Sequence, residues 1–274
     1  MKNQILNLTI AAIMTFGCTT EEPVGTTTLG DGTPYASYPE IMVGKVKTMV
    51  EKNYWAIPEG TSCKKGNPLT RADRDSLGNW TDDFEVVYDE NGVVIACTGL
   101  NDTGKPIWKN ENIIENMLVT KQNVFRKDTL NSYYQFKYGD NGFLLSGIRN
   151  RAGVDTLITS FACKTNAKGK PAEIQMFNSK GKPVEKYMYS YDEKNRFVKF
   201  EAFDKAGGIN FIQEVKYNDK SKASELIFKD KDNKITASNN CTYEYDEKGN
   251  WLKAIVKDDK NHVVIAERSY TYYE

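Results

Sequence analysis

Apolar and polar residues alternate along the chain from residue 84 to residue 274, in short segments separated by turn-forming residues. Tyr187, Tyr189 and Tyr191 show the pattern clearly, because they occupy every second position of one segment. A period of two is typical of a β-strand with one buried and one solvated face. The pattern therefore predicts antiparallel strands throughout this region, and only residues 111–118 have a sequence compatible with a short helix.

Glycine and asparagine recur between these segments at regular intervals, as expected where the backbone needs a positive φ. The predicted turn centres form pairs: Gly92 and Gly104, Gly142 and Gly153, Gly169 and Gly181, Asn195 and Gly207, Ser221 and Asn233, Gly249 and Asn261. From Gly142 onward the pairs follow one another at a period of roughly 26 residues, and a fixed period of that length indicates stacked repeats. We therefore predict an all-β fold, an elongated antiparallel meander of about six two-strand repeats of roughly 26 residues each, covering residues 84–274.

Two regions depart from the regular spacing. Residues 104–142 are too long for one unit, which predicts an extra hairpin or a decorated loop. Residues 34–83 are predicted as an irregular N-terminal part: residues 43–50 have the pattern of a first strand, and residues 57–79 are rich in glycine, proline and polar residues, as in a long loop.

The composition restricts the classes of partner. The chain has 274 residues, formal net charge zero and 39% hydrophobic residues. Because lysine, arginine and acidic residues balance, no basic surface is indicated and we expect no nucleic-acid partner.

The N-terminus has the character of an export signal. Residues 1–17 contain a lysine followed by a short apolar stretch and precede Cys18, which resembles a lipoprotein signal with Cys18 as the lipidated residue. An ordinary secretory signal is the alternative. Residues 18–33 then form a flexible tether that carries Glu21 and Glu22. These two residues resemble acidic surface-export tags, and the alternative is that they simply keep the tether solvated. This predicts an outer-membrane lipoprotein of the cell envelope, on either the periplasmic or the outer face.

Four further cysteines allow several interpretations. In the oxidising envelope Cys63 and Cys97 are the more plausible disulfide pair, whereas Cys163 and Cys241 lie about three repeats apart and are poor partners for each other. Buried free thiols are the simpler alternative. No CxxC spacing is present, so the sequence predicts no zinc site.

Candidate catalytic groups are scarce. His262 is the one histidine of the chain, in a predicted turn, and no serine or cysteine has a recognisable nucleophile motif. Paired carboxylates recur with the repeat, as turn-capping residues do, and residues 230–233 fit a capped turn better than a calcium loop. We therefore expect a protein that is not an enzyme and uses no cofactor, with a carboxylate-dependent hydrolase as the less favoured alternative.

Two tryptophans lie outside the regular spacing. Trp80 and Trp108 are candidates for a local surface feature that contacts a ligand, such as a stacking platform for sugar rings. Trp251 instead follows a turn at a position that is apolar in the other units, which is more typical of a core residue.

The segment Tyr243 to Asn250, with its pattern Tyr-x-Tyr-Asp-Glu-x-Gly-Asn, resembles the YD-type repeats of Rhs-like bacterial surface proteins. Residues 84–274 look most like the Bacteroidetes envelope lipoproteins that carry degenerate tandem copies of this unit. The resemblance implies a repeat β-architecture and no particular biochemical activity.

A second resemblance concerns modification. Ser76, Thr129 and Thr156 each follow an aspartate and precede a leucine, which resembles the acceptor sequence of Bacteroidetes envelope O-glycosylation. Together these features predict a non-enzymatic envelope lipoprotein that acts as a binding or interaction module. Its predicted partner is an unidentified envelope protein or glycan, and a lipid on Cys18 is predicted to anchor it to the membrane. A glycan-binding surface lipoprotein that uses exposed aromatic side chains is the main alternative.

Overall fold

The computed structural model describes residues 42–60, 62–77 and 82–274. In this part the chain forms 17 strands and one short helix, α1 (Arg71–Ser76). The strands are β1 (Val46–Glu59), β2 (Ser62–Pro68), β3 (Asp83–Tyr88), β4 (Val94–Leu100), β5 (Pro106–Glu115), β6 (Leu118–Arg126), β7 (Thr129–Tyr138), β8 (Leu144–Arg151), β9 (Thr156–Thr165), β10 (Pro171–Asn178), β11 (Pro183–Tyr191), β12 (Phe197–Phe203), β13 (Ile209–Tyr217), β14 (Ala223–Asp230), β15 (Ile235–Tyr245), β16 (Trp251–Asp258) and β17 (Val263–Tyr272).

The sheet closes on itself. Strands β3 to β17 form a continuous antiparallel meander, and β1 pairs with β17 on one side and with β3 on the other. The result is a 16-strand β-barrel, to which β2 is added by pairing with the second half of β1. The prediction of an elongated meander is therefore wrong, because β1 joins its two ends.

Closure has a physical reason that the local pattern does not contain. Each strand is rotated relative to its neighbour, so a long meander curls, and a curled sheet removes its exposed edges when the edges meet. β1 supplies both missing edges, pairing Glu51 with Arg268 of β17 and with Phe84 of β3. These contacts connect segments that lie far apart in sequence.

Other local predictions have mixed outcomes. The first strand is confirmed, although it begins at Val46 and is longer than predicted, and the extra hairpin within residues 104–142 is confirmed as part of β5, β6 and β7. The long loop at residues 57–79 is wrong, because the end of β1, β2 and α1 occupy it. The short helix at residues 111–118 is also wrong: β5 and β6 meet there in a turn at Asn116 and Met117, both with positive φ.

The predicted turn centres are confirmed, since all twelve have a positive φ. The first residue of a typical turn caps it with its side chain: Asp204 Oδ1 accepts hydrogen bonds from the backbone N–H groups of Ala206 at 2.8 Å and Gly208 at 2.9 Å. Asp230 Oδ1 accepts in the same way from Asp232 and Lys234, which confirms a capped turn at residues 230–233. The recurring aspartates therefore serve the turn backbone.

Tyrosines near the strand ends join neighbouring hairpins. Tyr191 donates its hydroxyl to the carbonyl of Pro171 at 2.7 Å, 20 residues earlier in the chain. Tyr243 donates to Ala223 at 2.8 Å across the same separation, and Tyr217 donates to Phe197. The tyrosine of one hairpin thus holds the first strand residue of the previous one, which gives the Tyr-Asp pattern a structural explanation.

The apolar face of the sheet lies inside the barrel. Its side chains are 0–8% exposed, and the described part of the chain has no second layer that could cover the outer face. The opposite face carries cross-strand ion pairs such as Glu173 with Lys164 and Glu225 with Lys216, at 2.8 and 2.7 Å. The barrel therefore has a packed interior and a charged exterior.

The two ends of the barrel carry different turns. We call one end the terminal rim, because β1 starts and β17 ends there. It also carries the turns at residues 89–93, 139–143, 166–170, 192–196, 218–222 and 246–250. The opposite end is the distal rim, with the turns at residues 101–105, 178–182, 204–208, 230–234 and 258–262, and with the hairpin of β1 and β2.

Candidate functional site

Polar side chains replace the apolar interior in one part of the barrel. Directly opposed residues of antiparallel strands point to the same face, and the pairing of β5 with β6 opposes Trp108 with Arg126, Asn110 with Val124, and Asn112 with Gln122. The interior face continues across β7 and β8 through Ser132, Tyr134 and Arg149. The candidate site is built from these strands and from the neighbouring seam at β1.

A buried ion pair lies at the seam. Arg268 Nε of β17 donates to Glu51 Oε2 of β1 at 2.9 Å, and both side chains are 0% exposed. The Arg268 guanidinium also stacks on the Trp251 ring, with its Cζ 3.8 Å from the ring centroid. A charge with so little access to water needs its partner, so this pair favours one register of the closing strands.

A second buried pair fills the gap where β1 leaves β3. Asp83 Oδ1 accepts from the backbone N–H of Asn53 at 2.9 Å and from Arg74 Nη2 at 2.7 Å. The Asn53 carbonyl accepts from the backbone N–H of Leu69 at 2.9 Å. The segment around α1 thereby satisfies the strand edge that neither β2 nor β3 covers.

Trp108 lies on the interior face near the distal rim. Its ring occupies the space where a Cβ at Gly99 would lie only 2.1 Å from the indole, so the opposed residue must be glycine. The indole Nε1–H donates to Asp82 Oδ2 at 3.2 Å, and Arg71 contacts the other oxygen of Asp82 at 3.5 Å. Arg126 lies over the same ring, with Cζ 6.0 Å from the centroid, and the indole remains partly exposed.

Arg149 is the second interior-facing arginine of this wall. Its Nε donates to Ser132 Oγ at 3.2 Å, and its Cζ lies 5.3 Å from the centroid of the buried Tyr134 ring. The side chain is partly exposed. No carboxylate of the described residues lies within ion-pair distance of Arg149, and its two terminal nitrogens have no protein partner there. We call Trp108, Arg126, Ser132 and Arg149 the polar recess.

The neighbouring interior residues are held by hydrogen bonds. Gln122 Nε2 donates to Asn112 Oδ1 at 2.9 Å, and Asn112 Nδ2 donates to the backbone carbonyl of Val94 at 2.9 Å. These bonds hold Gln122 and Asn112 in place, and both residues lie further from the distal rim than Trp108 and Arg126. The arrangement places two cationic side chains and a partly exposed aromatic ring on one inner wall of the barrel, which is the chemistry of an anion site.

The described residues contain no cluster of three histidine, cysteine or acidic side chains arranged to hold a metal ion. His262 Nδ1 lies 2.8 Å from Asp258 Oδ2 at the distal rim, and its ring meets Trp55 edge-on with centroids 6.2 Å apart.

The residues predicted from the sequence lie in different places. Trp108 lies in the recess, whereas Trp80 and Cys18 fall outside the described residues. Ser76 ends α1 and is exposed, with its Oγ donating to the Asp73 carbonyl at 2.7 Å. Thr129 and Thr156 are exposed at the starts of β7 and β9, on the distal rim. Of the predicted site residues that the structure describes, only Trp108 lies in the recess.

The four described cysteines are free thiols, so the Cys63–Cys97 disulfide is wrong. Burial raises the pKa of the Cys97 thiol well above its usual value, and it raises the pKa of Cys163 and of Cys241 to about 12. Cys63, on β2, is partly exposed. The buried thiols are therefore protonated core groups rather than nucleophiles.

Sequence reasoning missed the charged residues of the interior. Glu51, Arg126, Arg149 and Arg268 each occupy an inward position of a strand, where the pattern elsewhere places an apolar residue. A charged residue at an inward position is the signal that could have identified them. It is usable only once the register is known, because one residue of shift moves a side chain to the opposite face.

No protein-family profile matches the chain, and no curated protein matches it. Among solved structures it is similar to a porin-like protein from Bacteroides uniformis, with a TM-score of 0.52 and 9% identity over 82% of this chain and 98% of the other. A porin-like protein from Bacteroides vulgatus matches with a TM-score of 0.39 and 9% identity over 83% and 99% of the two chains. In the TcdB2-TccC3-Cdc42 structure, 79% of this chain corresponds to 14% of the other, with a TM-score of 0.33 and 10% identity. At these identities the first likeness shows a shared fold.

Within the described residues, no helix has the length and apolar character needed to span a bilayer.

Proposed function

We propose that this protein is a non-enzymatic binding module of the bacterial cell envelope, attached to the outer membrane through a lipid on Cys18. The observation that carries the proposal is the position of the chain entry. The described chain enters the barrel at the terminal rim, where the backbone N–H of Val43 donates to Asn250 Oδ1 at 2.8 Å. A tether from Cys18 would therefore hold the terminal rim towards the bilayer and present the distal rim to partners.

The charged exterior supports a module that works in water. A lipid-facing barrel needs an outward apolar band, whereas the outward positions here carry opposed ion pairs, including Lys253 with Glu244 at 2.8 Å. The interior is packed with side chains such as Trp251 and Leu226, which are 2% and 0% exposed.

Binding is favoured over catalysis because the recurring carboxylates already have structural roles. Asp204 and Asp230 cap turns, and the buried Glu51 and Asp83 are each paired with an arginine. A carboxylate-dependent hydrolase would need two acidic groups free to act on one bond. Strand addition is also disfavoured, because closure covers the barrel edges and the added strand β2 carries Lys64, Lys65 and Pro68, residues that protect edges.

Glycan contact is the second candidate, and Trp108 favours it. Its partly exposed ring near the distal rim lies beside Arg126, and Arg149 faces inward on the same wall of the barrel; both arginines can donate to hydroxyl or carboxylate oxygens. O-glycosylation of Ser76, Thr129 or Thr156 also belongs to the proposal, since all three hydroxyl-bearing residues are exposed. The envelope lipoprotein with degenerate YD-type repeats remains the class that we propose for the chain.

The test is photocrosslinking in the native envelope. A photoreactive residue would replace Lys180 in a distal turn, and in a matched variant Lys194 in a terminal turn; both lysines are exposed. We expect one envelope partner, protein or glycan, to be captured from Lys180 and not from Lys194. Equal capture from both positions, or turnover of a glycan or peptide by the purified protein, would contradict the proposal.

Attachment is tested separately with Cys18→Ala. We expect loss of fatty-acid labelling and release of the protein from the membrane fraction. Retention in the membrane without lipid labelling would refute the anchor and leave the crosslinking result unaffected.

A further inference from the structure

Arg149, in the polar recess, carries a positive charge that no carboxylate of the described residues neutralises. The two buried acids of the seam and the gap, Glu51 and Asp83, are paired with Arg268 and Arg74 at 2.9 and 2.7 Å. Asp82 is shared between Trp108 and Arg71. Among the described residues no acidic side chain pairs with Arg149, and its one hydrogen bond there is to the neutral Ser132 hydroxyl.

The position of Arg149 makes this charge unusual. An arginine on the outer face would be fully hydrated, but Arg149 points inward, opposite Tyr134, a side chain only 2% exposed. Its Nε–H is occupied by Ser132, which leaves the terminal nitrogens directed away from that bond and accessible to solvent. A guanidinium held in this way presents the paired N–H groups that bind a planar oxyanion with two parallel hydrogen bonds.

Arg126 lies close enough to contribute to the same site. Ser132 is opposed to Val124, and Arg126 is the next inward residue of β6 towards the distal rim. Two residues along a strand span about 6.6 Å, and neighbouring strands are about 4.8 Å apart, so both arginine side chains can reach the space beside Ser132. The Trp108 ring, with the Arg126 guanidinium carbon 6.0 Å from its centroid, forms the adjacent wall.

We propose, building on the binding function above, that the polar recess binds the carboxylate of a small ring-bearing anion, such as an acidic saccharide, between Arg126 and Arg149 with its ring against Trp108. The charge selects the carboxylate and the indole selects the ring. Inorganic phosphate shares the oxyanion chemistry and lacks the ring, so the two sources can be separated.

The experiment is calorimetric titration of the full-length protein with three probes: a trisaccharide of galacturonic acid, the neutral trisaccharide of galactose, and inorganic phosphate. We expect binding of the acidic trisaccharide alone. Arg149→Gln and Arg126→Gln should each weaken it about tenfold or more, because each removes charge-assisted hydrogen bonds. Arg149→Lys should recover only part of the loss, since it keeps the charge but not the fork geometry.

Lys109→Gln is the matched control, because it removes one positive charge from the outer face of β5 next to Trp108. It should leave the affinity unchanged, and the thermal midpoints of all variants show whether they fold. Weak binding of phosphate that depends on Arg149, with no gain for the acidic trisaccharide, would overturn the ring-bearing ligand. Binding that ignores Arg149, equal binding of the neutral trisaccharide, or no binding of any probe would overturn the recess as an anion site. None of these calorimetric results depends on which partner is crosslinked. The proposed function is therefore tested separately, by the photocrosslinking experiment.

Discussion

The two halves of the barrel wall differ in what they place inside. From β9 to β17 the inward residues are mostly aromatic and aliphatic, with the Phe200 ring packed at a tilt between Tyr189 and Phe211 at centroid distances of 5.3 and 6.3 Å. From β1 to β8 the interior includes Glu51, Asn110 and Arg149. The same strand and turn pattern therefore encloses a regular apolar core on one side and a charged interior on the other.

This difference distinguishes the half that supplies most of the apolar packing from the half in which we propose ligand binding. The regular half repeats one solution, in which a capped turn and a tyrosine hydroxyl hold each hairpin to the last, and buried rings supply the stabilising area. The irregular half departs from that solution at the seam and the recess. Residues that break local rules without a stabilising gain are expected at functional or specifying sites.

The largest expected effect is at the seam. Glu51→Ala leaves the Arg268 guanidinium buried without its partner and should reduce the free energy of unfolding by about 3–5 kcal/mol. Urea unfolding followed by tryptophan fluorescence measures it. The double variant Glu51→Leu, Arg268→Met should recover most of the loss, because apolar residues of similar volume replace the pair. A double variant as unstable as the single one would show that the pair contributes stability beyond specifying closure.

The regular half should respond to the loss of packing alone. Leu226→Ala, at a residue that is 0% exposed, should cost about 2–5 kcal/mol of unfolding free energy through lost burial and a cavity. Leu252→Ala, at a leucine that is 40% exposed, is the control and should change stability by less than about 0.5 kcal/mol. Equal losses in the two variants would argue against an apolar core on the inner face.

The tyrosine bonds between hairpins should contribute a smaller amount. Tyr243→Phe removes the hydroxyl that donates to the Ala223 carbonyl and should cost about 0.5–1.5 kcal/mol. Tyr133→Phe, whose hydroxyl bonds Asp155 at the exposed surface, should cost less. Chemical denaturation measures the loss of unfolding free energy in each variant. An unchanged midpoint for Tyr243→Phe would show that the tyrosine hydroxyl does not hold neighbouring hairpins together.

Titration of the buried thiols should not change the free energy of unfolding near neutral pH. Burial raises the pKa of Cys163 and Cys241 from 9.0 to about 12, so the folded state binds these protons more tightly than the unfolded state. Their contribution to stability is therefore fully present below pH 9 and declines as the pH rises from 9 to about 12. In a Cys18→Ala chain at pH 8, a thiol reagent should modify Cys63 rapidly and the three buried cysteines only on unfolding. Rapid modification of Cys163 in the native protein would contradict its burial.

Local structure could be read from the sequence to a large extent. Alternation of residues such as Tyr187 and Tyr189 specifies strands, because a strand exposes its two faces in turn. Gly92 and Asn233 mark turns, because only such residues accept a positive φ without strain. The repeat period follows from the same two rules, and so do the capped turns at Asp204 and Asp230.

Closure and the recess were decided by the tertiary structure alone. β1 completes the barrel through partners on β3 and β17, and the Glu51–Arg268 contact spans 217 residues that no local pattern connects. Arg149 reads from the sequence as an ordinary charged residue of a surface strand. It becomes part of a candidate site only because its register opposite Tyr134 turns it inward, towards a wall where Trp108 and Arg126 already lie.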